Sequence, residues 1–276
     1  MKKLYKSTIL VGVSLLTIAG LAACDNKKSD SQSKEENRQN VMTMSTLSGI
    51  GMLEELNQPA TYGVEDDILA NIEKFSALLV TNDSTKVTTE ASDKEGYQKK
   101  TVIKAHTMLD DTKELVLYYN ETIKEEEYDE VEYCLDGIAI EGDVTYTLKG
   151  ESEIESDEEE LEFTLKSEDG SYVTIKQEKE SDEQEFEYNL YQNGKRVFSQ
   201  SIEYEIERGY TNIEFKEKTN STKVKFEIRI KNDVTYVRYD QTLYTLEEVV
   251  NEDGTKKLVL KVSDKNINDI FSRFDD

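Results

Sequence analysis

The sequence predicts a mainly β fold, in the form of a large antiparallel meander that curls into a half-barrel or barrel packed on an N-terminal helix. From about Tyr97 onward, apolar residues alternate with polar ones, which is typical of strands with one buried and one exposed face. Glycine-containing turn dipeptides separate these runs, and the connections are too short for the crossover helices that parallel strands require. A β-sandwich is the alternative arrangement.

The alternation is clearest in five runs, which we expect to be strands. They are Val144 to Leu148, Leu161 to Leu165, Phe186 to Leu190, Ile202 to Ile206 and Val224 to Ile230. The expected hairpin turns are Asp136-Gly137, Asp169-Gly170, Asn193-Gly194 and Asp253-Gly254. In all, the pattern predicts about ten to twelve strands between Tyr97 and Val262, and a sheet of that size usually curls or splits.

Three segments are candidates for helix. Apolar residues recur every three or four positions from Val64 to Leu79, and acids occupy the first turn of that stretch, so an amphipathic helix that covers the sheet is predicted. The segment from Val41 to Leu56 is apolar but contains Gly49 and Gly51, which suggests a broken helix or a packed loop. A short terminal helix is expected between Lys265 and Phe274.

The first residues have the composition of an export sequence. Lys2, Lys3 and Lys6 precede the uncharged run from Thr8 to Leu21, which is shorter than the roughly 20 apolar residues of a spanning helix. The run ends in Leu-Ala-Ala-Cys, at residues 21–24. This order of charge, apolar run, small residues and cysteine resembles the lipobox of bacterial lipoprotein precursors.

That resemblance implies a signal peptide at residues 1–23 and a Cys24 that is lipidated by fatty acids such as palmitate and becomes the first mature residue. Several acyl chains hold a protein firmly on a membrane, whereas a single chain does not. The expected location is therefore the extracytoplasmic face of the cell membrane, with the protein anchored by lipid. An ordinary secretory signal cleaved near Ala23 is the alternative.

The mature chain is expected to begin with a tether. Residues 25–40 contain no apolar side chain, so residues 24–40 are predicted to be the lipidated cysteine and a disordered linker. Residues 41–276 then form a single acidic β-rich domain with an N-terminal helical segment. A chain of this size has enough material for one large domain.

Charge excludes several classes of partner. The chain has 34 Lys and Arg against 59 Asp and Glu, for a formal net charge of −25. Removal of residues 1–23 takes away three lysines and no acids, which brings the mature charge to −28. Such a charge argues against binding to nucleic acid and against adhesion to an anionic membrane surface.

The residues that carry chemistry in enzymes are sparse. If Cys24 is lipidated, Cys134 has no disulfide partner, and we expect it to be a core or strand-face thiol. His106 is the only histidine and is expected to be structural or exposed. No phosphate loop, nucleophile elbow or zinc-protease motif occurs. We therefore predict a protein that is not an enzyme and has no cofactor.

Two acidic runs, Glu151 to Glu160 and Glu178 to Glu187, have the composition of a calcium site. They flank predicted strands and lack the loop pattern of an EF-hand, so we interpret them as solvated hairpin ends and predict no metal. Most of the 16 tyrosines lie in the β region, where they are expected to pair across strands.

The sequence therefore predicts a membrane-anchored lipoprotein that acts as a non-catalytic binding or interaction protein, with an unidentified partner in the cell envelope or outside the cell. The alternative is a carrier of a lipid or other apolar ligand in a cavity of the half-barrel. That alternative is similar to known lipid-carrier lipoproteins only in architecture.

Overall fold

The computed structural model describes residues 30–55, 64–74, 86–106, 112–128, 130–155, 158–180, 183–207, 210–219, 223–232, 234–251 and 253–271. Within these ranges three helices occur: α1 (Asp30–Glu55), α2 (Val64–Lys74) and α3 (Ile267–Phe271). The export sequence and Cys24 lie outside the described residues, as do Phe75 to Leu79 of the predicted amphipathic helix. The described part of that helix confirms its start at Val64, with Glu65, Asp66 and Asp67 in the first turn.

Fourteen strands make up the rest of the fold. They are β1 (Lys86–Ala91), β2 (Lys99–His106), β3 (Thr112–Glu126), β4 (Val131–Glu141), β5 (Val144–Ile154), β6 (Glu159–Lys166), β7 (Tyr172–Glu180), β8 (Glu183–Gln192), β9 (Lys195–Glu207), β10 (Tyr210–Thr219), β11 (Lys223–Lys231), β12 (Val234–Tyr239), β13 (Thr242–Val250) and β14 (Lys256–Val262).

The predicted antiparallel meander is confirmed. Each strand pairs antiparallel with the next one in sequence, so all fourteen form one sheet in the order β1 to β14. In the described residues β1 and β14 pair with no further strand, so the sheet stays open and does not close into a barrel. The strands slightly exceed the expected ten to twelve: thirteen lie between Tyr97 and Val262, and β1 precedes Tyr97.

Three of the four predicted turns are confirmed. Gly170, Asn193, Gly194 and Gly254 all have positive φ between strands, as their hairpins require. The fourth prediction was wrong, because Asp136 and Gly137 lie inside β4 and the turn to β5 occurs at Gly142 instead. Gly137 serves close packing, since a Cβ there would lie 2.7 Å from the Cβ of Tyr119 on β3.

Helix α1 is the centre of the fold. It contacts strands β2, β3, β6, β7 and β8, and nearly every side chain from Val41 to Leu53 is buried, whichever side of the helix it occupies. A helix buried all round has no polar face, and two of its hydroxyl groups are bonded within the helix: Thr43 and Thr46 donate to the carbonyl oxygens of Gln39 and Met42 at 2.6 and 2.8 Å. The sheet therefore wraps around α1.

Two expectations about this segment are corrected. The helix is continuous from Asp30 to Glu55, so Gly49 and Gly51 do not break it. Gly49 instead allows close approach to the sheet, because a Cβ there would lie 2.6 Å from Cδ1 of Ile175. The predicted tether at residues 24–40 is helical from Asp30 onward, and Arg38 and Gln39 are buried. Arg38 is buried because it has acidic and hydroxyl partners on the sheet, which the composition alone does not show.

Helix α2 covers the later strands on the same inner face. It contacts α1 and β14, and Ile68 and Ile72 join the main core. The Asn71 side-chain amide donates to the carboxylate of Glu217 on β10 at 2.6 Å. The main core is continuous across the inner face, from Ile103 on β2 to Leu258 on β14.

Helix α3 lies on the outer face, over β11 to β13. Ile270 and Phe271 form a separate small cluster with Tyr236 and Leu243. This short helix confirms the predicted terminal helix over its described residues. Within the part of the chain that the structure describes, the two faces of the sheet are therefore covered very differently: the inner one along its length, the outer one at α3.

The meander gives the sheet two distinct ends. The turns β3–β4, β5–β6 and β7–β8 lie at one end, which we call the acidic end, and the turns β4–β5, β6–β7 and β8–β9 lie at the other, the distal end. Arg38 of α1 contacts Ser152 near the acidic end of β5. Glu54 lies close enough to Tyr146, near the distal end of β5, to raise the pKa of that phenol. Helix α1 therefore runs from the acidic end to the distal end.

Candidate functional site

The residues singled out in the sequence do not converge. Cys24 lies outside the described residues. Cys134 is exposed on β4, towards the acidic end, whereas His106 is the last residue of β2, at the distal end. The backbone therefore separates the exposed thiol from the only histidine of the chain, and no cysteine–histidine pair forms between them.

Register between the strands creates a feature that the sequence analysis missed. On the outer face, glutamates stand directly opposite one another across nine consecutive strands, from β3 to β11, in a row that we call the glutamate ladder. Its members are Glu125, Glu132, Glu153, Glu160, Glu178, Glu185, Glu203, Glu214 and Glu227. Neighbouring strands lie about 4.8 Å apart, so this is a regular line of like charges.

Basic side chains from adjacent positions neutralise much of the ladder. Lys176 bridges Glu160 and Glu178, and Arg238 pairs with Glu227. Hydrogen bonds that Lys176 donates to the two glutamates raise the pKa of Lys176 well above its usual range. These pairs lie at a surface, where each is worth only about 0 to 1 kcal/mol, but they offset repulsion between adjacent glutamates.

One ladder member, Glu153, lies beside further carboxylates that are not part of the ladder. The carboxylate oxygens of Glu130, Glu153 and Glu155 lie within 4.8 Å of one another at the acidic end. Partial desolvation, followed by the neighbouring carboxylates, raises the pKa of Glu130 and of Glu153. Exposed acidic groups of this kind are common without a metal. Nothing else in the described part of the chain indicates a cation here, so we assign none.

The predicted acidic runs are thus placed on two neighbouring hairpins. Residues 151–160 lie on β5, the β5–β6 turn and β6, and residues 178–187 lie on β7, the β7–β8 turn and β8. Both turns are at the acidic end, as expected for hairpin ends. The interpretation was incomplete, because most of each run belongs to strands, and two glutamates of each run stand in the ladder.

A buried polar network holds the start of α1 against the sheet. The guanidinium of Arg38 forms an ion pair with Glu121 of β3, and Lys99 of β2 pairs with the second oxygen of that carboxylate. Arg38 also donates to the hydroxyl of Ser152 at 3.1 Å, and its guanidinium carbon lies 5.3 Å from the ring centroid of Tyr133. A buried pair needs further partners besides its own two charges, and Lys99, Ser152 and Tyr133 supply some of them.

The tyrosines divide between the two faces. Among the described residues, six are buried: Tyr119, Tyr146, Tyr188, Tyr204, Tyr236 and Tyr244. Burial raises the pKa of Tyr188 far above its usual range, and burial with the nearby Glu54 raises that of Tyr146 to about 12. Tyr172 and Tyr191 stack across β7 and β8 with ring centroids 4.6 Å apart, which confirms the expected cross-strand pairing for these two residues.

No protein family, curated protein or solved structure matches this chain. Among the helices in the described ranges, none is long and apolar enough to cross a membrane. The properties of the chain therefore have to be inferred from its own residues.

Proposed function

We propose that this protein is a lipoprotein anchored by Cys24 on the extracytoplasmic face of the cell membrane, and that its β-domain is a non-catalytic binding protein. One observation carries the binding role: helices α1 and α2 fill the inner face of the sheet with a continuous apolar core, while the described residues leave most of the outer face uncovered, polar and charged. The surface available to a partner is therefore the outer face.

The filled interior favours this role over that of a carrier. Ile50 and Met52 of α1 are completely or almost completely buried, and so are Phe163 and Tyr188 on the facing strands. A carrier of an apolar ligand would need space on this face, whereas α1 occupies it. The concave side of the sheet is thus used for stability.

The direction of α1 also gives the domain an orientation. The helix begins at the acidic end, only a few residues after Cys24. An anchor at Cys24 would therefore hold the acidic end towards the membrane and direct the distal end away from it. Carboxylates at the acidic end would repel an anionic lipid surface and keep the domain from lying flat on it.

The anchor is tested with the two cysteines of the chain as a matched pair. Detergent-phase partitioning of cells that express the intact protein should recover it with the membrane lipoproteins, and mass spectrometry should show acyl chains on Cys24. Cys24→Ala should move the protein to the aqueous phase, whereas Cys134→Ala should leave it in the detergent phase. An intact protein that partitions into the aqueous phase with an unmodified Cys24 contradicts the anchor.

The binding role is tested separately. Cross-linking on intact cells should capture a reproducible partner, and native mass spectrometry of the purified protein should show no copurified lipid beyond the acyl chains. A stoichiometric bound lipid would support the carrier instead. Absence of any reproducible cross-linked partner would count against the binding role.

A further inference from the structure

A second row on the outer face differs from the glutamate ladder in charge. Towards the distal end, register places Ser199 of β9 opposite Lys218 of β10, and Lys218 opposite Lys223 of β11. Residues directly opposite on an antiparallel pair project from the same face, with Cβ atoms about 5 Å apart. Both lysines are exposed. Two positive charges are thus held side by side in a chain whose net charge is −25.

The neighbouring lysine pair shows how this sheet normally treats such an arrangement. Lys216 and Lys225 also stand opposite each other, two residues nearer the acidic end. Glu214 bridges them, at 2.6 Å from Lys225, and Glu203 lies 3.3 Å from Lys216. Although burial raises the pKa of Glu214, hydrogen bonds from the two lysines outweigh it and lower that pKa overall. Two carboxylates therefore balance two ammonium groups.

Lys218 and Lys223 have no such carboxylate. The row they occupy continues through Ser199 to Asn189, which are uncharged, and neither lysine forms an ion pair with any residue in the described ranges. Lysines on edge strands prevent sheet-to-sheet aggregation, but β10 and β11 are interior strands, so that explanation does not apply here. Like charges directly opposite each other destabilise a sheet unless something neutralises them.

The pair also lines a groove. Its volume is about 380 Å³, and its walls include Ser199, Ser201 and the lysines of both pairs, together with two acids, Glu187 and Glu217. Hydroxyl and ammonium groups are the donors that phosphate oxygens accept from in proteins, with lysine acting as a point charge. A phosphate monoester carries a charge of about −1.5 to −2 at pH 7, which matches two lysines, whereas a single carboxylate does not.

We propose that Lys218 and Lys223, with Ser199, bind a phosphate group of an external ligand, in the position that Glu214 and Glu203 occupy for the neighbouring lysine pair. The inference rests on the proposed binding role and names the chemistry of the partner. Because the row lies towards the distal end, away from the expected membrane anchor, the phosphate belongs to a ligand outside the membrane and is not a headgroup of the anchoring bilayer.

The test is a calorimetric titration of the full chain in detergent with inorganic pyrophosphate. The intact protein should bind it, and Lys218→Gln/Lys223→Gln should lower the affinity by about tenfold or more, since each lost charge contact contributes a few-fold. The matched control is Lys104→Gln/Lys149→Gln, which removes the same charge from exposed lysines paired with Glu114 and Asp136. It should change the affinity by less than about twofold.

Several results would overturn the proposal. They are no binding by the intact protein, equal loss in the control variant, or no loss in Lys218→Gln/Lys223→Gln. Succinate that binds as tightly as pyrophosphate would identify a carboxylate ligand. Binding only to phosphatidate vesicles would identify a lipid surface. The intact protein could instead self-associate in sedimentation experiments. If both the lysine variant and a Glu130→Gln/Glu155→Gln variant abolished that association, the partner of the lysines would be a second copy of the chain.

The phosphate site and the lipid anchor can be contradicted independently of each other. Pyrophosphate titration of the full chain does not depend on acylation, so a negative titration leaves the Cys24 experiment unaffected. If cross-linking captures a protein partner but the titration shows no pyrophosphate binding, the binding role stands and only the phosphate site is contradicted.

Discussion

The two faces of the sheet obey the same alternation but are stabilised by different interactions. On the inner face, side chains such as Phe163 and Ile175 pack against α1 and are almost fully buried. On the outer face, the neighbouring positions carry charged residues that meet across strands, as in the ladder from Glu125 to Glu227, and along them, as in the pair of Lys176 and Glu178. The inner face therefore contributes most of the stability, and the outer face presents a charge pattern.

The charged residues of the outer face form ordered rows across the strands and are not randomly distributed. Apolar packing depends on volume and tolerates any strand order that buries the face. A line of glutamates across nine strands exists only in one register, because a shift of one residue would send each of them to the other face. The register of the strands therefore determines where the charges of the outer face lie.

The largest expected effect is on the inner face. Phe163→Ala should destabilise the protein by about 3 to 5 kcal/mol, because it leaves a cavity where α1 meets β6. Chemical denaturation measures the change. The adjacent Thr164, on the outer face of the same strand, is the control, and Thr164→Ala should change the unfolding free energy by less than about 1 kcal/mol. Similar losses for the two variants would contradict the division between the faces.

The second-largest expected effect is at the buried ion pair between Arg38 and Glu121. Arg38→Met removes the guanidinium and leaves Glu121 buried with Lys99 as its remaining ionic partner, so we expect a loss of about 3 kcal/mol in chemical denaturation. Adding Glu121→Gln removes the buried carboxylate charge that has lost Arg38 as its partner, and should recover part of the lost stability. A double variant less stable than Arg38→Met would show that the pair is not coupled as described.

A smaller, local effect is expected where the outer face is covered. Arg229 donates to the carbonyl oxygen of Ile270 at 2.8 Å, and its guanidinium carbon lies 4.3 Å from the Tyr210 ring and 4.9 Å from the Phe271 ring. Arg229→Lys retains the charge but loses the planar fork, and should cost about 2 kcal/mol. Hydrogen exchange should show faster exchange in α3 with little change in α1. Uniform loss of protection would contradict a local role.

The smallest expected effect is in the glutamate ladder, where the substitution should stabilise the protein and not destabilise it. Desolvation, Glu130 and Glu160 raise the pKa of Glu153 above its ordinary 4.5, so the folded chain holds this proton more tightly than the unfolded chain does. The ionised form therefore destabilises the fold above that pKa, and the penalty is relieved as the pH falls through it. Glu153→Gln should raise the melting temperature slightly at pH 7.

The size of this gain should depend on conditions. It should shrink as the pH is lowered through the raised pKa towards 4.5 and when salt is added, because salt screens exposed charges. Glu95→Gln, in the exposed β1–β2 turn, makes the same charge change away from the ladder and should give a smaller gain. Equal gains in the two variants would show that only the net charge matters.

Much of the fold was predictable because alternation is local. Runs such as Leu161 to Leu165 were identified as strands, and Asn193-Gly194 as a turn, from a few residues each. Helix α1 was not identified as one helix, because a helix buried all round has no amphipathic stripe. Gly137 was misassigned to a turn, since a glycine needed for close packing looks the same in the sequence as a glycine needed for positive φ.

The candidate site was predictable only in composition. The acidic runs at residues 151–160 and 178–187 are visible in the sequence, but the ladder also uses single glutamates on other strands, such as Glu125 and Glu203. Likewise, Lys218 and Lys223 are separated by a short turn, and nothing local shows that they stand opposite each other without a carboxylate between them.

By itself, the sequence determined the charge of this protein, the alternation of its strands, most of its turns and the cysteine that resembles a lipidation site, because each of these depends on residues close together in the chain. Only the tertiary structure decided which strands pair in which register, that the sheet stays open and that α1 lies at its centre. Those properties depend on contacts between residues far apart in the chain, where packing of the whole inner face selects one register and thereby places the charges on the outer face.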